Sequence, residues 1–304
     1  MQVETLLKPV FSRKLKNGNC VLVATDSEPL VVDETFADSL IQNSDIIEKC
    51  DEEIITAFKD SGFFASENTD VISIPEEPNN LKWKILRNGL IVVGILAIIT
   101  ILITIPFIGI PTGNQIVSND LSLLETSIFI IGFSLFTTVI HEIMHMIYAR
   151  TLNKKSGGLN LTLKNAIATV SMTHIWVWSL IGRISAVSAG IVSDLLFLAL
   201  LSVGRLFYNN LLMVVASAIL WLKIIWQFRF HKNCDGSLMA IMLLDNPMLN
   251  VKNSSSDIFS CKNERHIWYI LKAVGILIDI VIFMFWLVPF ALDIFNYIFD
   301  KFLA

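Results

Sequence analysis

Between Asn88 and Asn119 the chain contains no Asp, Glu, Lys, Arg or His. The first part of this run, Gly89–Phe107, is long enough to cross the hydrocarbon core of a bilayer as a helix. Pro106 and Pro111 then interrupt it. Further apolar stretches follow at Leu123–Arg150, Ile181–Gly204, Leu211–Phe230 and Ile267–Phe302. The last reads as a span plus an interfacial helix, with Pro289 as the hinge. Gly157–Trp178 is richer in Thr, Asn and Ser and reads as a hairpin or re-entrant piece. The pattern predicts a mainly α-helical, polytopic membrane protein with about five to six spans. Composition agrees: 16% of residues are charged, against about 25% in soluble domains.

The charge is unevenly placed. Residues 1–80 hold 16 of the 27 acidic side chains and 6 of the 23 basic ones, a net of −10, whereas residues 81–304 carry +6. Two domains are expected, divided after residue 80. In the first, Val10–Leu15 and Cys20–Ala24 are strand-like runs flanking the turn Asn17-Gly18-Asn19. Leu30–Val32 adds a third strand, and Phe36–Gln42 and Glu52–Phe58 have helical spacing, closed by Ser61-Gly62. Three short strands followed by helices suggest a small α/β, winged-helix-like module, with Ser73–Asn80 as a linker. Its negative charge opposes a nucleic-acid partner.

Met1–Lys16 has no apolar core of the kind a signal peptide needs, so this domain is expected in the cytoplasm. The basic residues give the same orientation. Lys82, Lys84 and Arg87 precede the first span, Arg150, Lys154 and Lys155 follow the second, and Arg229, Lys232, Lys252, Lys262 and Arg265 follow the fourth. Arg205 is the one basic residue on the other side. The cysteines, Cys20, Cys50, Cys234 and Cys261, show no paired spacing and read as bystander thiols.

The second span ends in His141-Glu142-Ile143-Met144-His145. Histidines four residues apart on a helix project from one face, and two neutral imidazoles so placed can share a zinc ion. Glu142 is the candidate catalytic residue, a general base beside the first ligand. Burying His, Glu and His in an apolar span costs several kcal/mol unless they are paired or metal-bound. A third ligand is required. Asp235, in Asn233-Cys234-Asp235-Gly236, ends the fourth apolar stretch at the same expected depth as His145, and Gly236 would let the backbone turn sharply there. His231 is the rival ligand. His174, near Trp176 and Trp178, fits an interfacial aromatic belt, and His266 a span end. Asp279, inside the last apolar run, must pair with something in the bundle.

With these residues in hand, residues 88 to about 250 resemble the site-2 proteases, intramembrane zinc metalloproteases. There a His-Glu-x-x-His span is followed by Ala-Gly-Pro-x-x-Asn and then by an Asp-Gly motif. The matching segments are Ala189-Gly190-Ile191-Val192-Ser193-Asp194 and Asp235-Gly236, with Ile191 at the proline and Asp194 at the asparagine. The resemblance implies Zn2+ on His141, His145 and Asp235, and Glu142 as general base. It makes Asp194 a candidate substrate or oxyanion contact. Asp235-Gly236-Ser237, with Asp245-Asn246-Pro247-Met248-Leu249-Asn250, is further similar to putative peptide zinc metalloproteases associated with ribosomally made, modified peptides; Ser237 stands where an aromatic is usual. This implies a precursor-peptide substrate, and a peptide exporter or modifying enzyme as partner. The N-terminal domain resembles leader-peptide recognition modules, which add the peptide as a strand to a sheet edge. Two alternatives stand beside this: a non-enzymatic membrane immunity, export or metal-handling protein, and regulated intramembrane proteolysis of a transmembrane regulator.

Overall fold

The computed structural model describes residues 6–65, 74–116, 122–152, 159–162, 167–170, 172–250 and 262–303. The chain forms two compact units, and neither is a single stretch. One comprises Met1–Asn80, Met146–Ala186 and Met239–Trp268; the other comprises Leu81–His145, Val187–Leu238 and Tyr269–Ala304.

The first unit is built on a three-stranded antiparallel sheet, β1 (Phe11–Lys14), β2 (Cys20–Val23) and β3 (Leu30–Val32), with β2 in the centre. The expected hairpin forms: Phe11 lies opposite Val23 and Lys14 opposite Cys20. Helices α1 (Glu34–Gln42) and α2 (Glu52–Asp60) follow. Asp33 caps α1 by accepting the Phe36 N–H at 2.8 Å. At the end of α2, Gly62 has φ +80°. The Gly62 and Phe63 amides return to the Lys59 and Phe58 carbonyls, a Schellman closure that packs the Phe63 ring on that of Phe58.

The run Cys20–Ala24 is apolar at every position instead of alternating, the pattern of a strand covered on both faces. Every residue in it is buried. One cluster joins Cys20, Leu22 and Ala24 to Ala37, Leu40, Phe58 and Phe63. A 3-10 turn at Thr173–Val177 also packs on β2 and buries Ile175 and Trp176. The expected hairpin within Gly157–Trp178 is present as β4 (Leu159–Thr162) paired antiparallel with β5 (Ile167–Val170).

The segment read as a linker is held in place over its described residues, 74–80. Trp178 Nε1 donates to the Pro75 carbonyl at 3.0 Å, and the Glu77 carboxylate accepts from the amide and hydroxyl of Ser179.

Among the described residues, four helical stretches are long and apolar enough to cross a membrane. They are α3 (Leu81–Ile108), α4 (Leu123–Tyr148), α5 (Leu180–Phe207) and the continuous run Lys262–Phe299. The fourth expected span, Leu211–Phe230, appears as a shorter apolar helix, α6 (Leu211–Gln227); its 17 residues rise only about 26 Å. Helix α7 (Asp235–Leu244) is shorter still.

The final stretch does not divide into a span and a separate interfacial helix. Helix α8 (Lys262–Ile282) passes through a π turn at Phe283–Leu287 into α9 (Val288–Leu303). Pro289 has no N–H to give to the preceding turn, and the wider turn just before it absorbs that loss.

In the second unit, Ala97 and Ile101 of α3 pack with Leu198 and Ala199 of α5 and with Leu220 and Ile224 of α6. Arg205, the dissenting charge, is buried in α5; it donates to the Ile108 carbonyl at the end of α3 and to the Asn209 side chain. There it satisfies a helix-terminal carbonyl that has no partner within its own helix.

Candidate metal centre

His141 and His145 lie one turn apart on α4 and are 2% and 1% exposed. Their Nε2 atoms are 3.1 Å apart. Asp235, the first residue of α7, brings Oδ2 to 2.8 Å from Nε2 of His141 and 3.1 Å from Nε2 of His145. Ligand atoms of a tetrahedral zinc at about 2.0–2.1 Å stand about 3.3 Å from one another, so the three atoms are spaced close to what one ion requires. Two histidine nitrogens and a carboxylate oxygen are also an ordinary donor set for zinc. Among the described residues this is the one His, Cys, Asp and Glu cluster that could hold a metal ion.

Helix α5 passes close beside both rings. A Cβ at Gly190 would collide with Nε2 of both histidines, so only a glycine lets that helix pass so close. One turn on, Asp194 is fully buried. Its Oδ2 accepts the His141 Nδ1–H at 2.7 Å, and its Oδ1 accepts from Lys223 Nζ of α6 at 2.9 Å. An ionised Asp194 can only accept here, which sets a proton on Nδ1 and, with an ion bound, leaves the Nε2 lone pair to that ion.

Glu142 is half-buried and within electrostatic reach of His141, His145, Asp235 and Lys223.

No family model, no curated protein and no solved structure matches the chain.

The sequence candidates therefore sort by position. His141, His145 and Asp235 come together, and Glu142 is beside them. Asp194, considered for substrate or an oxyanion, has both oxygens occupied by His141 and Lys223. His231 is elsewhere engaged: its Nε2 lies 2.9 Å from Asp279, which also takes a hydrogen bond from Arg229. This supplies the partners that Asp279 needed. His174 is buried and donates to the Ala149 carbonyl at 2.8 Å. Gly236 serves close approach instead of a sharp turn, since it lies in the first turn of α7 with its backbone against the Gln227 carbonyl. Cys20, Cys50 and Cys234 are free thiols; Cys261 lies outside the described residues.

Lys223 is the residue that sequence reading passes over. A lone lysine in an apolar helix was the available signal, because a charge among apolar side chains needs a partner.

Proposed function

We propose that this chain is an intramembrane zinc metalloprotease of the site-2 type. It cleaves a precursor or membrane-associated peptide in the maturation of a modified, secreted peptide. The observation that carries the reading is the convergence of Nε2 of His141, Nε2 of His145 and a carboxylate oxygen of Asp235 within 4.8 Å of one another, with Glu142 adjacent, on strongly apolar helices. Bound zinc would supply Lewis-acid polarisation of the peptide carbonyl and activation of a water. Glu142 takes the proton from the attacking water and returns it to the leaving amine. His141, His145 and Asp235 hold the ion.

In this reading the four candidate spans and α6 make a multi-pass protein of the cell membrane, with its N-terminal residues in the cytoplasm. The three-stranded sheet with α1 and α2 is a winged-helix-like module that docks the peptide before cleavage, and an exporter or modifying enzyme acts on the same peptide.

The test uses the full chain in lipid nanodiscs with a precursor peptide encoded beside it. Glu142→Gln is expected to lower cleavage by at least about 100-fold while stoichiometric zinc is kept, and Asp235→Ala to lose the zinc. Unchanged cleavage by a correctly inserted Glu142→Gln protein would exclude proteolysis at this centre. Zinc loss in His231→Ala but not in Asp235→Ala would reassign the third ligand.

A further inference from the structure

The residues behind the candidate ligands deepen that reading and rest on it. Asp194 and Lys223 form a chain that crosses three helices, from His141 on α4 to Asp194 on α5 to Lys223 on α6. Asp194 is fully buried, and the Lys223 side chain is 17% exposed. A buried ion pair is weak evidence for stability, since well-packed apolar residues of similar volume usually serve as well or better. Its presence in an apolar bundle calls for another reason. That reason is visible in where the second carboxylate oxygen goes: not to another helix backbone, but to the ring nitrogen opposite the ligand atom of His141.

We infer that Asp194 is a positioning residue for the metal centre, fixing the tautomer and ring orientation of His141, and that Lys223 is the counter-charge to the Asp194 carboxylate. Gly190 and Asp194 are four residues apart, so they share one face of α5. Gly190 makes room for both imidazoles, and Asp194 then sets the direction in which one of them points. Lys223 also matters for charge. Its Nζ lies 2.9 Å from Asp194 Oδ1 and balances that fully buried carboxylate, which would otherwise stand without a counter-charge.

Two double variants separate the hydrogen bond from the charges. Asp194→Asn with Lys223→Met removes both charges but keeps an oxygen that accepts from His141 Nδ1. Asp194→Ala with Lys223→Met removes both charges and the acceptor. Each is purified in detergent, its fold is checked by thermal unfolding, and its zinc affinity is measured by competition with a chelating indicator. The Co2+-substituted protein gives the ligand-field spectrum. The first variant is expected to bind zinc within a few-fold of the unaltered chain and to keep its cobalt bands. The second is expected to bind about 10–100-fold more weakly, with shifted bands, as for other partners behind a metal-bound histidine. Equal affinities and identical spectra for the two doubles would overturn the role of Asp194 while leaving the metal reading intact. An unaltered chain that binds neither ion would overturn the metal reading, and this inference with it.

Discussion

Asp245 shows how much can hang on one carboxylate in this chain. It accepts hydrogen bonds from Arg13 and Arg183 at 2.7 Å each and from the Lys16 amide at 3.2 Å. It also sits just past α7 with φ +60°, a left-handed position that glycine usually fills and that Asp tolerates better than most residues. Burial alone would push its carboxyl up; the hydrogen bonds from Arg13 and Arg183 outweigh that and hold it below the ordinary value. The unfolded chain therefore takes up this proton first as pH falls. The stabilisation is full above the ordinary Asp value of about 3.9 and is lost as pH drops through the lower, folded value. Thermal unfolding of the solubilised protein should show a falling midpoint in that range. Asp245→Asn should remove this part of the pH dependence. It should also cost about 3 kcal/mol at neutral pH, because Arg183, 2% exposed, loses its counter-charge.

At the scale of elements, α5 determines whether the centre can exist at all. A glycine in a helix interior costs about 1 kcal/mol relative to alanine, so Gly190→Ala would stabilise an isolated helix. Here the added methyl meets both ring nitrogens. Gly190→Ala is expected to weaken zinc binding at least about tenfold with little loss of thermal stability. Gly132→Ala on α4, where a Cβ would meet nothing within 4 Å, serves as the control and should leave zinc affinity unchanged. Equal zinc affinity in both would remove the steric argument. The same helix marks where reading the sequence stopped short. The spacing of His141 and His145 predicts their shared face, since helical period alone sets it. The bond from His141 to Asp194 depends on which face α5 turns toward α4, and no local pattern encodes that.

Across the whole molecule, what was legible was local: the apolar runs, the Asn17–Asn19 hairpin, the two short helices and the His-Glu motif. Each follows from spacing or turn chemistry over a few residues. The make-up of the first unit was not legible. The charge shift near residue 80 marks a real change in composition, yet Trp176 and Asp245 complete what Cys20–Ala24 and Arg13 begin, through contacts that no short-range pattern announces. It follows that residues 1–80 expressed alone should lack a cooperative thermal transition, because one face of β2 loses its cover and Arg13 loses Asp245. A sharp transition in that fragment would show that the sheet and its two helices suffice.

The pairing of Arg13 with Asp245, 232 residues apart in sequence, also sets a timetable for synthesis. At about 5–20 residues per second, the N-terminal strands leave the ribosome roughly 12–46 s before their ionic partner does. Throughout that interval an apolar strand stands incompletely covered while the long apolar helices are being made. Exposed apolar surface in that interval favours misassembly, so the yield of folded protein should vary with translation speed.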